Sequence, residues 1–242
     1  MKKAFLSILF LLLVSFFSKL VAQSQFSGWA AVFSTIKTGE KTSFHTDVQL
    51  RSTDEWKKAQ TFLFRPGINF HLNKTVILSA GYAYISNRRT ISNVSGYATE
   101  HRIWQQLLIN HKLKNIFVSH RFRTEQRSIE KSIVVNNLLE SDGYVTAHRF
   151  RYFTRSILPL KKQETFSKGL FAALQNEVFV NIGNNDNVNG KFFDQNRLYL
   201  AAGYRLNSSA DLEIGYMNQY VSGSGSQKTR NHILQLAGYL RL

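Results

Sequence analysis

Cysteine is absent from the 242-residue sequence, proline occurs twice, and 15 acidic residues stand against 31 basic ones. The absence of cysteine excludes disulfides, thiolate metal ligands and a lipidated cysteine after a leader segment. Because proline cannot donate a hydrogen bond to a β-ladder, its scarcity permits long uninterrupted strands. Histidine and carboxylate clusters with the spacing of a metal site are also missing, so we expect neither a metal nor another cofactor.

The first residues follow the pattern of a secretory signal. Lys2 and Lys3 precede an apolar stretch at residues 5–17, which is short for a membrane-spanning helix. We predict a cleaved signal peptide over residues 1–22 and one mature domain over residues 23–242. No later segment of the sequence has the length and apolar character of a transmembrane helix.

The charge balance predicts an anionic partner. The formal net charge is +16, and removal of the three lysines of the predicted signal peptide leaves +13. An excess of this size favours nucleic acid, a phosphorylated lipid or an acidic solute. A secretory signal argues against nucleic acid, so we expect no nucleic-acid partner.

Side chains alternate between apolar and polar along eleven segments of the mature sequence. These segments are longer than the strands of soluble proteins, whose commonest length is about five or six residues. They are long enough to cross a bilayer, for which a tilted strand needs roughly 9–11 residues. The predicted strands cover residues 26–37, 41–52, 59–72, 75–87, 99–113, 116–128, 145–158, 170–182, 194–206, 210–222 and 229–242.

The connections between the predicted strands alternate in length. Tight turns at residues 73–74 and 114–115 alternate with longer segments, an asymmetry typical of outer-membrane barrels, whose short turns are periplasmic. The connection at 159–169 is longer than this rule allows. Because bacterial barrels normally have an even number of strands, we interpret the eleven segments as ten or twelve strands. The segments predicted to be long loops are 88–98, 129–144 and 183–193.

Arginine occupies alternate positions in two predicted strands, at Arg121, Arg123 and Arg127 and again at Arg149 and Arg151. Successive side chains of a strand point to opposite faces, so the arginines of each strand share one face. In a soluble sheet that face would meet water, and eleven long strands would have to share one core. A transmembrane barrel instead turns apolar side chains to lipid and charges inward. We therefore predict an all-β fold, a transmembrane antiparallel up-and-down β-barrel of 10 to 12 strands.

The same alternation predicts a network of charged side chains on the inner faces of the strands. In one interpretation, arginine–carboxylate pairs fill a narrow barrel and fix its strand register. In the other, the excess of arginine forms a basic constriction that binds anions, since arginine rings suit anion and phosphate pores. The predicted network comprises Arg51, Glu100, Arg102, Arg121, Arg123, Glu125, Arg127, Arg149, Arg151, Glu177 and Arg197.

Motifs that contain these charged residues recur in a recognisable order. They lie at residues 100–106 (EHRIWQQ), 121–127 (RFRTEQR), 149–152 (RFRY), 176–181 (NEVFVN), 193–197 (FDQNR) and 212–216 (LEIGY). On these motifs, the sequence resembles the family called domain of unknown function 2490 over nearly the whole mature chain. The resemblance implies a Gram-negative outer-membrane barrel in which these arginine and glutamate positions are the signature. It implies no activity.

We expect a non-enzymatic protein of the bacterial outer membrane, either a structural barrel or a small-solute pore that favours anions. The expected partners are outer-membrane lipid and lipopolysaccharide, a small anionic solute and the barrel-assembly machinery. That machinery reads the last strand of a barrel, and here Leu234, Leu236 and Leu240 share one face of a strand with an apolar end.

The alternative is a lipid-modifying enzyme, a hydrolase or acyltransferase that acts at the rim of the barrel. Ser119, His120 and His101 are the residues available for such chemistry. A nucleophile needs a base within hydrogen-bond reach. Because Ser119 and His120 are adjacent on a predicted strand, their side chains point to opposite faces. We interpret the histidines instead as polar residues of the membrane interface.

Overall fold

Eleven β-strands make up most of the chain in a computed structural model that describes residues 23–161, 163 and 165–242. The predicted signal peptide lies outside the described residues. A single 3₁₀ turn at Asp54–Trp56 follows the second strand. Among the described residues, no helix is long and apolar enough to cross a membrane. The strands are β1 (Gln23–Lys37), β2 (Thr42–Ser52), β3 (Ala59–His71), β4 (Val76–Ile91), β5 (Val94–Leu113), β6 (Ile116–Val135), β7 (Leu138–Pro159), β8 (Gly169–Ile182), β9 (Phe193–Asn207), β10 (Ala210–Ser222) and β11 (Lys228–Arg241).

The strands form a closed barrel in which each one pairs with its neighbours in the chain. The predicted barrel is confirmed, and its eleven strands fall within the predicted 10 to 12. The prediction of purely antiparallel pairing is wrong at the closure, where β1 runs parallel to β11 from Gln23↔Thr229 to Thr35↔Arg241. An odd number of strands that alternate in direction brings the first and last together in the same direction. The expectation of an even number of strands came from bacterial barrels in general and not from any residue of this sequence.

Two of the three predicted long loops, 88–98 and 129–144, consist of strand residues except for a two-residue turn in each. The β4–β5 ladder continues to a two-residue turn at Ser92 and Asn93, and the β6–β7 ladder to one at Asn136 and Asn137. All four turn residues have positive φ, between 47° and 65°. Positive φ at both central residues is the signature of the type I′ turn, whose twist matches that of a hairpin. Residues 183–192 form a loop between β8 and β9.

The barrel therefore has two different ends. At one end, here called the hairpin end, β4 to β7 continue into the two long hairpins, and β1 begins there. The opposite end, here called the turn end, is where β11 finishes. The hairpin end holds the connections β2–β3, β4–β5, β6–β7, β8–β9 and β10–β11, and the turn end holds β1–β2, β3–β4, β5–β6, β7–β8 and β9–β10.

Large apolar side chains cover the outside of the barrel. Ile68, Ile103 and Leu200 expose 62%, 59% and 62% of their surface. The residues between them on the strands face inward, and Arg65 and Arg123 expose only 5% and 1%. This distribution is the reverse of that in soluble proteins, where arginine is almost never buried and large exposed apolar patches mark interaction sites.

Aromatic side chains and small residues fill parts of the interior. Near one wall, Trp104 is fully buried and its indole lies against the backbone of Gly67 and Gly81. A Cβ atom on Gly81 would lie 2.3 Å from the carbonyl oxygen of Pro66 and 2.5 Å from Cζ2 of Trp104. Both positions therefore require glycine, because no side chain fits between the strand and the indole.

Replacing Gly81 by alanine is expected to lower the free energy of unfolding by about 1–3 kcal/mol, the usual cost of overpacking a filled site. Urea titration of the refolded barrel measures this change. The matched control is Gly238→Ala, because a Cβ atom on Gly238 meets nothing within 4 Å. Equal costs for the two variants would contradict the close approach of Trp104.

Candidate functional site

The predicted charged residues meet inside the barrel. Ten of the eleven line one interior cavity of about 880 Å³, and Glu125 lies behind them with 1% of its surface exposed. The cavity extends along the barrel, because its lining includes Arg51 and Asp194 toward the hairpin end and Arg205 toward the turn end. The side chains that the alternation of residue types assigns to the inner faces therefore lie in one interior.

Glu125 is the centre of the charge network. Its carboxylate accepts hydrogen bonds from Nη1 of Arg151 at 2.5 Å and from Nη2 of Arg149 at 2.6 Å. Arg102 and Arg65 lie within 3.7 Å and 3.9 Å of the same carboxylate. Arg65 belongs to β3, which is not a neighbour of β6, so this contact crosses the interior. Four cations from three other strands therefore converge on one buried anion.

Two further glutamates each join two arginines. Oε1 of Glu177 accepts hydrogen bonds from Nη2 of both Arg121 and Arg151, at 2.7 Å each. Oε1 of Glu100 accepts hydrogen bonds from Nε of Arg102 and Arg127, at 2.6 Å each. Shared carboxylates of this kind satisfy buried guanidinium groups that would otherwise be desolvated without partners.

Two aspartates, Asp194 and Asp211, also pair with interior arginines, and the sequence prediction assigned neither of them to the inner faces of the strands. Oδ2 of Asp194 accepts a hydrogen bond from Nη1 of Arg149 at 2.9 Å. The β8–β9 register shifts by one residue at this point, because Val180 pairs with Phe193 whereas Phe179 pairs with Gln195. Asp194 is the extra residue of this bulge, so strict alternation assigns its side chain to the wrong face.

Asp211, the second omitted aspartate, lies at the turn end. It accepts hydrogen bonds from Nε of Arg205 at 2.8 Å and from Nη2 of Arg241 at 2.7 Å. Asp211 is two residues before Glu213, which pairs with Arg155. Because residues two apart on a strand share a face, this spacing could have predicted that Asp211 faces inward. Asp194 is linked to Glu125 through Arg149, whereas Asp211 forms a separate cluster with Arg205 and Arg241 at the turn end.

Three interior arginines have no carboxylate within 4.0 Å among the described residues. Arg51 and Arg123 donate to the amide oxygens of Gln49 and Gln106. The side chain of Arg197 makes no hydrogen bond within the described part of the chain, and its buried Nε has no partner. All three guanidiniums lie over the ring of Trp29 or Trp104. The sequence prediction did not identify these two tryptophans as contacts of the arginines. Stacking on a ring stabilises an arginine that lacks an anion.

Arginine outnumbers acid throughout the interior. The described interior contains twelve arginines, namely Arg51, Arg65, Arg102, Arg121, Arg123, Arg127, Arg149, Arg151, Arg155, Arg197, Arg205 and Arg241. The seven acids that contact them or lie among them are Asp47, Glu100, Glu125, Glu177, Asp194, Asp211 and Glu213. Internal pairing therefore leaves a surplus of positive charge around the cavity.

The structure keeps the serine and histidine of the alternative enzyme site apart. The Ser119 hydroxyl donates to Oδ1 of Asn110 at 2.7 Å. Nδ1 of His120 lies 2.9 Å from the hydroxyl oxygen of Tyr152, and His101 packs against Tyr82. Within the described residues, no group of three histidine or carboxylate side chains could hold a metal ion.

Comparison with known proteins identifies two similarities. A family model described as "Protein of unknown function (DUF2490)" matches residues 26–230. An uncharacterized protein of Methylorubrum extorquens is 27% identical over 202 residues, which are 82% of this chain and 80% of that protein. The matched region contains all eleven predicted site residues, from Arg51 to Arg197.

Proposed function

The chain belongs to the DUF2490 family of proteins of unknown function, and we propose that it is an integral outer-membrane β-barrel with an anion-favouring interior. The apolar outside of the closed barrel supports the membrane location. In lipid every backbone polar group must be paired within the protein, and a closed barrel meets this condition because it has no free strand edge. The predicted signal peptide at residues 1–22 supports export from the cytoplasm.

The proposed orientation places the turn end in the periplasm and the hairpin end outside the cell. Outer-membrane barrels have short periplasmic turns and longer external segments, and the β4–β5 and β6–β7 hairpins extend past the neighbouring strands β3 and β8 at the hairpin end. Lipid and lipopolysaccharide would then contact the apolar outside. The assembly machinery would contact β11, whose outward residues include Leu236 and Leu240.

The surplus of arginine around the cavity is the observation that carries the proposed preference for anions. Arg51, Arg123 and Arg197 each lack a carboxylate partner among the described residues, so the field inside the cavity favours negative charge. A purely structural role for the network would need only as many arginines as carboxylates can neutralise. The proposed role is non-enzymatic, which the separate contacts of Ser119 and His120 support.

Conductance measurements in planar bilayers test this function. We expect conductance steps that favour anions over cations, and we expect Arg123→Gln to reduce that selectivity because it removes an unneutralised cation. Lys57→Gln is the matched control, since it removes one charge from an exposed side chain outside the barrel. An insulating barrel would contradict anion passage and leave the structural role. Equal losses of selectivity in Arg123→Gln and Lys57→Gln would show that selectivity follows the total charge of the protein and not the arginines of the cavity.

A further inference from the structure

The indole of Trp29 lies beside two guanidinium groups from strands that do not pair with each other. Cζ of Arg51 is 3.9 Å and Cζ of Arg197 is 5.0 Å from the centre of its ring. Arg51 is on β2, next to Trp29, whereas Arg197 is on β9, which does not pair with β1. Phe179 also supports Arg197, with its ring centre 4.7 Å from Cζ. Two aromatic rings thus contact Arg197, whose side chain makes no hydrogen bond within the part of the chain that the structure describes.

Both guanidiniums have N–H groups that no described protein atom accepts. The nearby carboxylates are engaged by other arginines, since Glu177 binds Arg121 and Arg151, and Asp194 binds Arg149. Arg51 donates from Nε and Nη2 to the amide oxygen of Gln49, and its Nη1 makes no hydrogen bond to a described residue. Positively charged donors that are oriented and unpaired are suited to an external anion.

These side chains line the interior cavity near the hairpin end. Arg51 is the residue before the last of β2, and Arg197 follows the start of β9 by four residues. Trp29, Phe179, Arg51 and Arg197 all contribute to the cavity lining. A small solute that enters from the hairpin end would therefore meet this pair of arginines before it meets the pairs at the turn end.

We propose that Arg51 and Arg197, supported by Trp29 and Phe179, form a binding site for a small oxyanion of the phosphate class. The proposal rests on the proposed anion-favouring interior and names its ligand. The parallel N–H donors of a guanidinium match two oxygens of one phosphate, which a single-atom anion cannot offer. A phosphate group carries about −1.5 to −2 charges near pH 7, which balances two guanidiniums better than the single charge of a carboxylate.

Isothermal titration calorimetry on the barrel in a non-ionic detergent, at constant ionic strength, tests the site. We expect saturable binding of inorganic phosphate, and binding weakened by about tenfold or more in Arg197→Gln and in Arg51→Gln, because each loses a charge-assisted hydrogen bond. Arg241→Gln is the matched control at the turn end, where Arg241 binds Asp211. Its phosphate affinity should stay within about twofold of that of the unmodified protein.

Glycerol phosphate and chloride complete the experiment. Tighter binding of glycerol phosphate than of inorganic phosphate would identify the ligand as the phosphate group of a larger solute. Tighter binding of inorganic phosphate would identify the ligand as the free ion. Chloride binding as tight as that of phosphate would overturn the oxyanion assignment. Absence of saturable phosphate binding, or an equal loss in Arg241→Gln, would overturn the site.

Electrophoretic mobility reports whether a variant folds, calorimetry reports phosphate binding, and conductance reports anion passage. The side chain of Arg197 makes no hydrogen bond to the described residues, so Arg197→Gln should fold, as judged by the shift in electrophoretic mobility on heating. Should it fail to fold, Arg51→Gln decides the same question. Anion-selective conductance without phosphate binding would reject the site and retain the proposed function, whereas phosphate binding to an insulating barrel would reject passage and retain the site.

Discussion

Replacing Glu125 by glutamine is expected to lower the free energy of unfolding of the barrel by about 3–5 kcal/mol, the cost of breaking a buried ion pair. The glutamine keeps the shape of the side chain and removes its charge. Arg149 and Arg151 then lose the carboxylate that each contacts most closely, and Arg65 and Arg102 lose an anion within 4 Å. Four buried cations would repel one another without the carboxylate that now separates them.

Urea titration of the refolded barrel measures the Glu125→Gln effect, with Glu140→Gln as its matched control. Glu140 is exposed in the β6–β7 hairpin and undergoes the same chemical change. The control should change stability by no more than about 0.5 kcal/mol, as surface substitutions usually do. A cost below about 1 kcal/mol for Glu125→Gln would show that water or bound anions neutralise the cluster.

Replacing Leu200 by arginine is expected to cost about 2–4 kcal/mol if the outside of the barrel contacts lipid, the value for arginine at the middle of a bilayer. Leu200 lies at the centre of β9, and 62% of its surface is exposed. Leu206 is exposed on the same strand next to the turn end, so Leu206→Arg should cost only about 0–1 kcal/mol. The two variants make the same chemical change at different depths.

The comparison of Leu200→Arg with Leu206→Arg, measured by reversible unfolding in lipid vesicles, decides whether the apolar surface is embedded. A depth-dependent difference supports the proposed membrane location. In water both substitutions would replace an exposed apolar side chain by a charged one and cost little. Equal and small effects would therefore contradict membrane embedding.

The sequence was sufficient to predict which face of each strand carries the charges. Alternation assigned Arg121, Arg123 and Arg127 to one face because side-chain direction on a strand has a period of two. It could not predict which residues meet across the interior. Contacts such as Arg121 with Glu177 depend on the tilt and closure of the whole barrel, which no local pattern contains.

The errors of the sequence prediction have local physical causes. The sequence prediction places the hairpin turns at Ser92–Asn93 and Asn136–Asn137 inside long loops, because polar residues of this kind also occur in irregular segments. Asp194 was missed because a bulge reverses the alternation of faces at its position. The support that Trp29 gives to Arg197 was missed because the two residues come from strands that are far apart in the sequence.

The parallel pairing of β1 with β11 has a consequence for the order of assembly. β1 is the first strand of the barrel to be synthesised, yet its partner at residues 228–241 is the last. Until β11 pairs with it, that edge of β1 is a row of unpaired backbone donors and acceptors, and such an edge readily pairs with other chains. Closure therefore joins the two ends of the described barrel, so removal of residues 228–241 would leave both β1 and β10 with an open edge.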